Sequence, residues 1–280
     1  MNKTLAKLIF QAWPFAFGHD RLMTLLHPSP VNLSAMISKL RGFNIRIKYD
    51  PNTFLGRYIY FRGIYEEAII KKMKRVIKPG MTVLDVGANI GLHSLVAASI
   101  VGPTGAVIAI EPYSGNRNLL NENIKMNGFD NIQVFGYALG EKNGKGRIYL
   151  TNKNNPEEAT LRPKDKSTPQ LTEEITVRNL DSMLEDLKIS KIDVVKIDTE
   201  GAELDILEGG EKFISCHPPK ALFIECIDDH LIQFGKTSLA LINWLKEKKY
   251  QVFGWRKGRW KKVEAIRGQN FDLVALGGSN

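Results

Sequence analysis

Val83-Leu84-Asp85-Val86-Gly87-Ala88-Asn89-Ile90-Gly91 opens with a short apolar run interrupted by one acid, the pattern of a strand buried on both faces. Glycines at 87 and 91 follow at once, and an apolar stretch to Val101 reads as a helix over about 90–101, stopped by Gly102-Pro103. A strand, a glycine turn and a helix in that order make the opening unit of a ligand-binding α/β sheet. Glycine there lets the backbone approach a ligand closely and start a helix tightly.

Outward from this unit the alternation continues. Downstream, Ala106–Ile110 reads as a second strand, 115–127 as a helix with Gly128 after its end, and Ile132–Phe135 as a third strand, with a continuation towards Leu139. A helix over 180–187, a strand from Asp193 to Ile197, a helix over 201–214, a strand over 221–226 and a helix over 237–248 come later. Residues 250–253 and 271–276 read as closing strands around a basic turn, the last of them antiparallel. Strands alternating with helices predict an α/β domain with a mostly parallel sheet covered on both faces.

Residues 140–174 break the rhythm with three glycines and three prolines (140, 144, 146, 156, 163, 169) and read as a loop-rich insertion with a hairpin, a candidate substrate flap. Upstream of the glycine turn, a helix over 65–77 ends at Pro79-Gly80. Before it, 57–61 and 44–49 read as strands around the Asp50-Pro51-Asn52 turn, and 1–40 as helical. This gives an N-terminal appendage over 1–62 and a main domain over 63–280.

The 280 residues carry 39 Lys plus Arg against 30 Asp plus Glu, and the excess of nine is clustered. Lys71, Lys72, Lys74, Arg75 and Lys78 form one group, and a second runs from Lys246 through Arg256, Arg259 and Lys261 to Arg267. Such groups are solvated faces, or a surface for an anionic acceptor, carrier or membrane. No nucleic-acid motif accompanies them, so no nucleic-acid partner is expected. Cys216 and Cys226 have no metal-ligand spacing, which fits a reducing, cytoplasmic setting. No stretch is long enough to span a membrane. Trp13, Phe15 and Phe17 would form a peripheral membrane contact, or pack on the domain. The oligomeric state is not written in any of these features.

The identity of the ligand follows from charge. The second strand ends at Glu111-Pro112, where an acid can accept hydrogen bonds from ribose hydroxyls. The turn lacks the GxGxxG of a dinucleotide site, and Asp85 at its mouth repels a diphosphate. An acid there suits a ligand with a positive end, and the ammonium and sulfonium of S-adenosylmethionine match it. Gly87, Asn89 and Gly91 belong to the same turn. Two competing readings remain, a nucleotide-dependent oxidoreductase and a non-catalytic binding module on the same fold.

The segments Val83–Gly91, Ala109-Ile110-Glu111-Pro112 and Lys196–Glu203, with Ala138-Leu139-Gly140, Leu180-Asp181-Ser182 and Leu207–Gly210, resemble the FkbM family of methyltransferases. The likeness runs over about residues 60–250. It implies a Rossmann-like class I methyltransferase fold with a seven-stranded sheet, S-adenosylmethionine as cofactor, and mostly O-methylation of sugars, glycolipid or polysaccharide units and other small molecules. It also implies cofactor roles for Ala138 and for Glu66, the acid ahead of the first strand, which could otherwise serve only as a helix N-terminal acid.

Lys196-Ile197-Asp198-Thr199-Glu200 lies at the carboxyl end of a strand, the edge at which open α/β sheets bind ligands. Asp198 is a candidate catalytic residue, and Lys196 and Glu200 candidate acceptor contacts, although Asp198 or Thr199 could instead cap the next helix. A hydroxyl that attacks a methyl group must lose its proton. His230, just after the strand ending Glu225-Cys226, is the first candidate base and Asp198 the second. No ligand spacing demands a metal, and none is expected.

Overall fold

A computed structural model of the chain describes residues 33–150, 159–162, 171–256, 258–263 and 271–277. The expected helix over 1–32 and the Trp13, Phe15 and Phe17 contact lie outside them. The first described element is a strand, β1 (Met36–Lys39), paired antiparallel with β2 (Arg46–Tyr49). Residues 36–40 are therefore not the tail of a helix.

The stretch read as a strand at 57–61 is a helix, α1 (Phe54–Arg62). Its aromatic and β-branched residues favour extended chain, but both ends are capped. Thr53 accepts from the Gly56 N–H, and the Gly63 N–H donates to the Ile59 carbonyl at 2.8 Å. Burial of Ile59 and Phe61 then outweighs the weak local preference. α2 (Glu67–Val76) follows, then β3 (Thr82–Val86), α3 (Leu92–Val101), β4 (Ala106–Ile110), α4 (Ser114–Asn127) and β5 (Ile132–Phe135).

Where a loop-rich insertion with a hairpin was expected, the described residues form a small four-stranded sheet. β6 (Ala138–Leu139), β7 (Gly144–Leu150), β8 (Ala159–Thr160) and β9 (Leu171–Arg178) pair in the order β6-β9-β7-β8. After α5 (Leu180–Asp186) and β10 (Val194–Ile197), the single helix expected over 201–214 is two, α6 (Glu203–Glu208) and α7 (Glu211–Cys216). Gly209 parts them: a Cβ there would lie 2.2 Å from the Gly140 carbonyl oxygen, so the chain turns where two backbones touch. β11 (Ala221–Cys226), α8 (Asp228–Leu231), α9 (Ser238–Glu247), β12 (Tyr250–Arg256), β13 (Arg259–Lys262) and β14 (Phe271–Gly277) complete the chain.

The central sheet runs β13-β12-β14-β11-β10-β3-β4-β5. It has eight strands where seven were expected. The addition is β13, a hairpin return of β12 out of what was read as a basic turn. β5, β4, β3, β10 and β11 are parallel and β14 is antiparallel to both neighbours, the Rossmann-like class I arrangement. Alternate strand residues face opposite layers. Val83, Val194 and Phe223 pack under α2 and α3 with Met73 and Ala97. Leu84, Val195 and Leu222 pack under α5, α6 and α9 with Leu180, Ile206 and Leu241.

The N-terminal ribbon is tied to the domain by one buried side chain. Asn123 accepts from the Lys48 N–H at 2.7 Å and donates to the Lys48 and Ile90 carbonyls at 3.1 and 2.9 Å. Ile45, Ile47 and Tyr49 of the ribbon share a core with Leu92, Leu95 and Val96 of α3. Among the described residues no helix is long and apolar enough to cross a membrane.

Candidate active site

The order of the central strands reverses between β3 and its neighbours β10 and β4, so a crevice opens at their carboxyl ends. A cavity of about 340 Å³ lies there, within the roughly 300–1,000 Å³ of small-molecule sites. Gly87, Asn89, Glu111, Ala138, Lys196, Asp198 and Glu200 all contribute to its wall, as the sequence placed them. Asp85, Glu66, Gly91 and His230 do not line it.

The turn is shaped by close packing. Gly87 has φ +79°, and a Cβ on it would lie 1.8 Å from the Asp198 carbonyl oxygen. Only glycine lets the turn after β3 press against the end of β10. The Gly87 and Ala88 N–H groups both donate to the Ile110 carbonyl at 3.0 Å. Asn89 is left-handed at φ 51°, and its N–H donates to Glu111 Oε2 at 2.8 Å, while the Tyr113 N–H donates to Oε1 at 2.9 Å. The Glu111 carboxylate is thereby fixed at the cavity wall, with a lone pair left on each oxygen. Burial pushes its pKa up to about 7 despite those two donors.

Asp85 sits one layer below. It is buried, with Oδ2 accepting from the Ser94 hydroxyl at 2.5 Å and Oδ1 without a hydrogen-bond partner. In the parallel register it stands opposite Lys196. Burial works to discharge the Lys196 ammonium, but Asp198, Asp85 and Glu66 outweigh it and hold its pKa raised. Its Nζ donates to Asp198 Oδ2 at 2.9 Å. Glu66, the left-handed residue ahead of α2, lies 3.1 Å from His93 Nε2. Burial opposes its charge, yet His93 and Lys196 hold its pKa below the usual range.

The part of the cavity wall formed by β10 and β11 was only half legible in the sequence. Glu225, at the end of β11, lines the cavity beside Asp198 and Glu200, and Tyr65 and Phe54 form its aromatic side. His230 reaches Glu200 Oε2 at 2.9 Å and Glu225 Oε2 at 3.6 Å through Nδ1. These two neighbours raise its pKa to about 10, against the burial that opposes its charge. Burial, and then Asp198, push the Glu225 pKa well up. The three ligand-type atoms of Glu200, Glu225 and His230 lie within 4.8 Å of one another, close enough to hold a metal ion. Glu203 shapes this loop by accepting from the Thr199 N–H, the Thr199 hydroxyl and the Gly201 N–H at 2.9–3.1 Å.

The cavity is acidic although the chain is basic. Glu111, Asp198, Glu200 and Glu225 line it against Lys196, and neither basic group of the sequence contributes to the wall. The pocket therefore suits a cationic ligand. Its unpaired Asp85 oxygen beneath the turn, fixed Glu111 and close-packed Gly87 fit S-adenosylmethionine, with its ribose diol and its positive end.

A model of the FkbM methyltransferase domain matches residues 85–252. The AMB antimetabolite synthetase AmbE of Pseudomonas aeruginosa is 29% identical over 184 residues, 54% of this chain and 9% of that protein. The hexuronic acid methyltransferase AglP of Haloferax volcanii is 27% identical over 176 residues, 63% of this chain and 68% of that protein. Methyltransferase 1 of Beauveria bassiana is 24% identical over 45% of this chain and 57% of its own length. The chain thus spans about a tenth of AmbE and just over half of the Beauveria protein. Among solved structures, a methyltransferase FkbM from Methylobacillus flagellatus is 18% identical, covering 79% of this chain and 52% of its own, with a TM-score of 0.45. With the domain model matched over more than half of its length, the chain belongs to the FkbM methyltransferase family, with S-adenosylmethionine as its cofactor.

Proposed function

We propose that the chain methylates a hydroxyl of a sugar, of a glycolipid or polysaccharide unit, or of a related small molecule. The observation that carries this reading is the wall of Asp198, Glu200 and Glu225 at one end of the cofactor cavity, set beside the aromatic rings of Phe54 and Tyr65. Carboxylates accept hydrogen bonds from hydroxyls and take up the proton a hydroxyl must lose. An aromatic face covers the apolar side of a sugar ring, and Phe54 is half exposed at that position. AglP, a relative of the chain, is a hexuronic acid methyltransferase. Because the wall is acidic, the reacting end of the acceptor is neutral.

Glu111 would hold the ribose and the 87–91 turn the methionine end, with Asp85 and Glu66 acting from behind the wall through their charge, and Ala138 the adenine side. The cofactor supplies a sulfonium leaving group, so the protein's work is alignment and proton removal. The sequence favoured His230 as the base. With its Nδ1 turned to Glu200 and Glu225 rather than to the cavity, it suits the role of positioning those side chains, and the proton passes to Asp198, which Lys196 orients. Residues 1–62 act as an appendage to the methyltransferase domain, with Phe54 their contribution to the acceptor wall. Both cysteines are free, in keeping with a cytoplasmic setting.

The test is labelled methyl transfer to fractionated glycan, glycolipid and small-molecule extracts, followed by single-turnover kinetics on the product found. Asp198→Asn should slow methyl transfer by about 10²–10⁴-fold and leave cofactor affinity near normal. Near-normal chemistry in that variant, or a label found in RNA or on nitrogen, would sink the proposal.

A further inference from the structure

The basic residues that do not serve the cavity form a surface of their own. Lys71, Lys72, Lys74 and Arg75 fall within an arc of about 160° around the axis of α2 at 3.6 residues per turn, and Lys78 is exposed just past its end. Ile69, Met73 and Ile77 hold the opposite, buried arc. The one acid in α2 is Glu67, which pairs with Arg62 and Lys71, leaving the rest of the arc basic.

The second basic group arrives from the far end of the chain. β12 and β13 set Trp255 opposite Trp260, so both rings stand on one face of the hairpin, with centroids 5.3 Å apart. Phe253, two residues before Trp255, stands on that face too, and Lys72 Nζ of α2 lies 6.0 Å from its ring. Trp260 packs against the core beneath α2. The two groups, almost two hundred residues apart in sequence, therefore meet in space. Lys262, opposite Phe253, shares the face of the two tryptophans, while Arg259 and Lys261 stand on the other face; all three are exposed and both tryptophans are half-buried.

β12 runs parallel to β11, since both are antiparallel to β14. Its hairpin tip thus projects from the carboxyl edge of the sheet, the edge at which the cavity lies. Paired tryptophans with Lys262 on their own face and the lysines of α2 beside them suit the headgroup layer of a bilayer. The rings lie at the boundary between water and apolar chains, and the cations lie against lipid phosphates.

We propose that the solvent face of α2 and the β12–β13 hairpin dock this protein on an anionic membrane surface. Charge complementarity selects the lipid, because cations on this face draw no benefit from a zwitterionic bilayer. The paired rings argue for a bilayer over a duplex nucleic acid, whose backbone needs cations but no apolar ring pair. A lipid-linked acceptor on that surface would meet the protein at the edge where its cavity lies.

The full chain should sediment with equimolar phosphatidylcholine–phosphatidylglycerol vesicles and not with phosphatidylcholine alone. Raised salt should release it, because exposed charges are screened over roughly 8–10 Å at moderate ionic strength. Each basic residue near the surface contributes about fivefold in partitioning, so K72Q/K74Q/R75Q/K262Q together should weaken vesicle binding by roughly several hundredfold. The affinity for S-adenosylmethionine should not change, which also shows that the variant is folded. Tryptophan emission should shift to the blue on binding, and W255F/W260F should lose that shift. Equal binding to neutral vesicles, no binding to either, or unchanged binding by the quadruple variant would overturn the proposal. So would a duplex oligonucleotide that displaces the protein from vesicles.

Discussion

Replacing Glu111 tests the cofactor site at its most constrained point. Its carboxylate is held by the Asn89 and Tyr113 N–H groups and retains lone pairs for two ribose hydroxyls. Charge-assisted hydrogen bonds contribute about 1.5–3 kcal/mol each, so Glu111→Ala should lose about 3–6 kcal/mol of cofactor binding, roughly 10²–10⁴ in Kd. The variant also orphans two backbone donors, at about 1–3 kcal/mol each. Relief of the carboxylate's desolvation offsets part of that cost, so the fold should survive. A pH effect accompanies the mutation. The folded pKa, about 7, lies above the ordinary carboxylate value. The neutral carboxyl's stabilisation is complete below the unfolded value and is lost as pH rises through about 7. Ribose hydroxyls favour the ionised form, so binding should release a proton near pH 7 and strengthen as pH rises through that value. Calorimetry in buffers of different ionisation enthalpy reads both quantities. Unchanged affinity in a folded Glu111→Ala protein, or proton release that persists in Glu111→Gln, would refute the assignment.

Two further outcomes follow from the geometry of the wall. Gly87→Ala places a Cβ 1.8 Å from the Asp198 carbonyl oxygen at φ +79°, so it should cost about 2–4 kcal/mol in denaturant unfolding and abolish cofactor binding; a variant as stable as the parent would show that β3 and β10 do not meet there. Phe54→Ala should raise the acceptor KM about tenfold, since a buried aromatic face contributes about 1–2 kcal/mol, and leave cofactor affinity alone; a shift in cofactor Kd instead would place the aromatic side at the wrong end of the cavity.

Short-range pattern carried the sequence a long way. The buried strand at 83–86, its glycine turn and the acid at 111 are local signals, because strand burial, tight turns and strand-end acids are each encoded within a few residues. So the α/β class, the turn and Glu111 were legible, as were Asp198 and Glu200 at a strand end. Tertiary contacts decided the rest. Residues 57–61 have the composition of a strand, yet capping by Thr53 and Gly63 and burial of Ile59 and Phe61 make them a helix. The 140–174 segment became a sheet because 144–150 found its partner at 171–178, a pairing that no local window contains. Glu225 was invisible as a site residue, for only the alignment of β10 with β11 brings it to Asp198 and Glu200. The same alignment places His230 beside Glu200 and Glu225 and raises its pKa. Net charge could not show the acidic cavity for a related reason: the sequence sums its ionisable groups, and folding sorts them. The acids collected at the carboxyl ends of the strands and the lysines on α2 and the last hairpin, so a basic chain encloses an acidic cavity. Composition has no position, and electrostatic energy depends on distance.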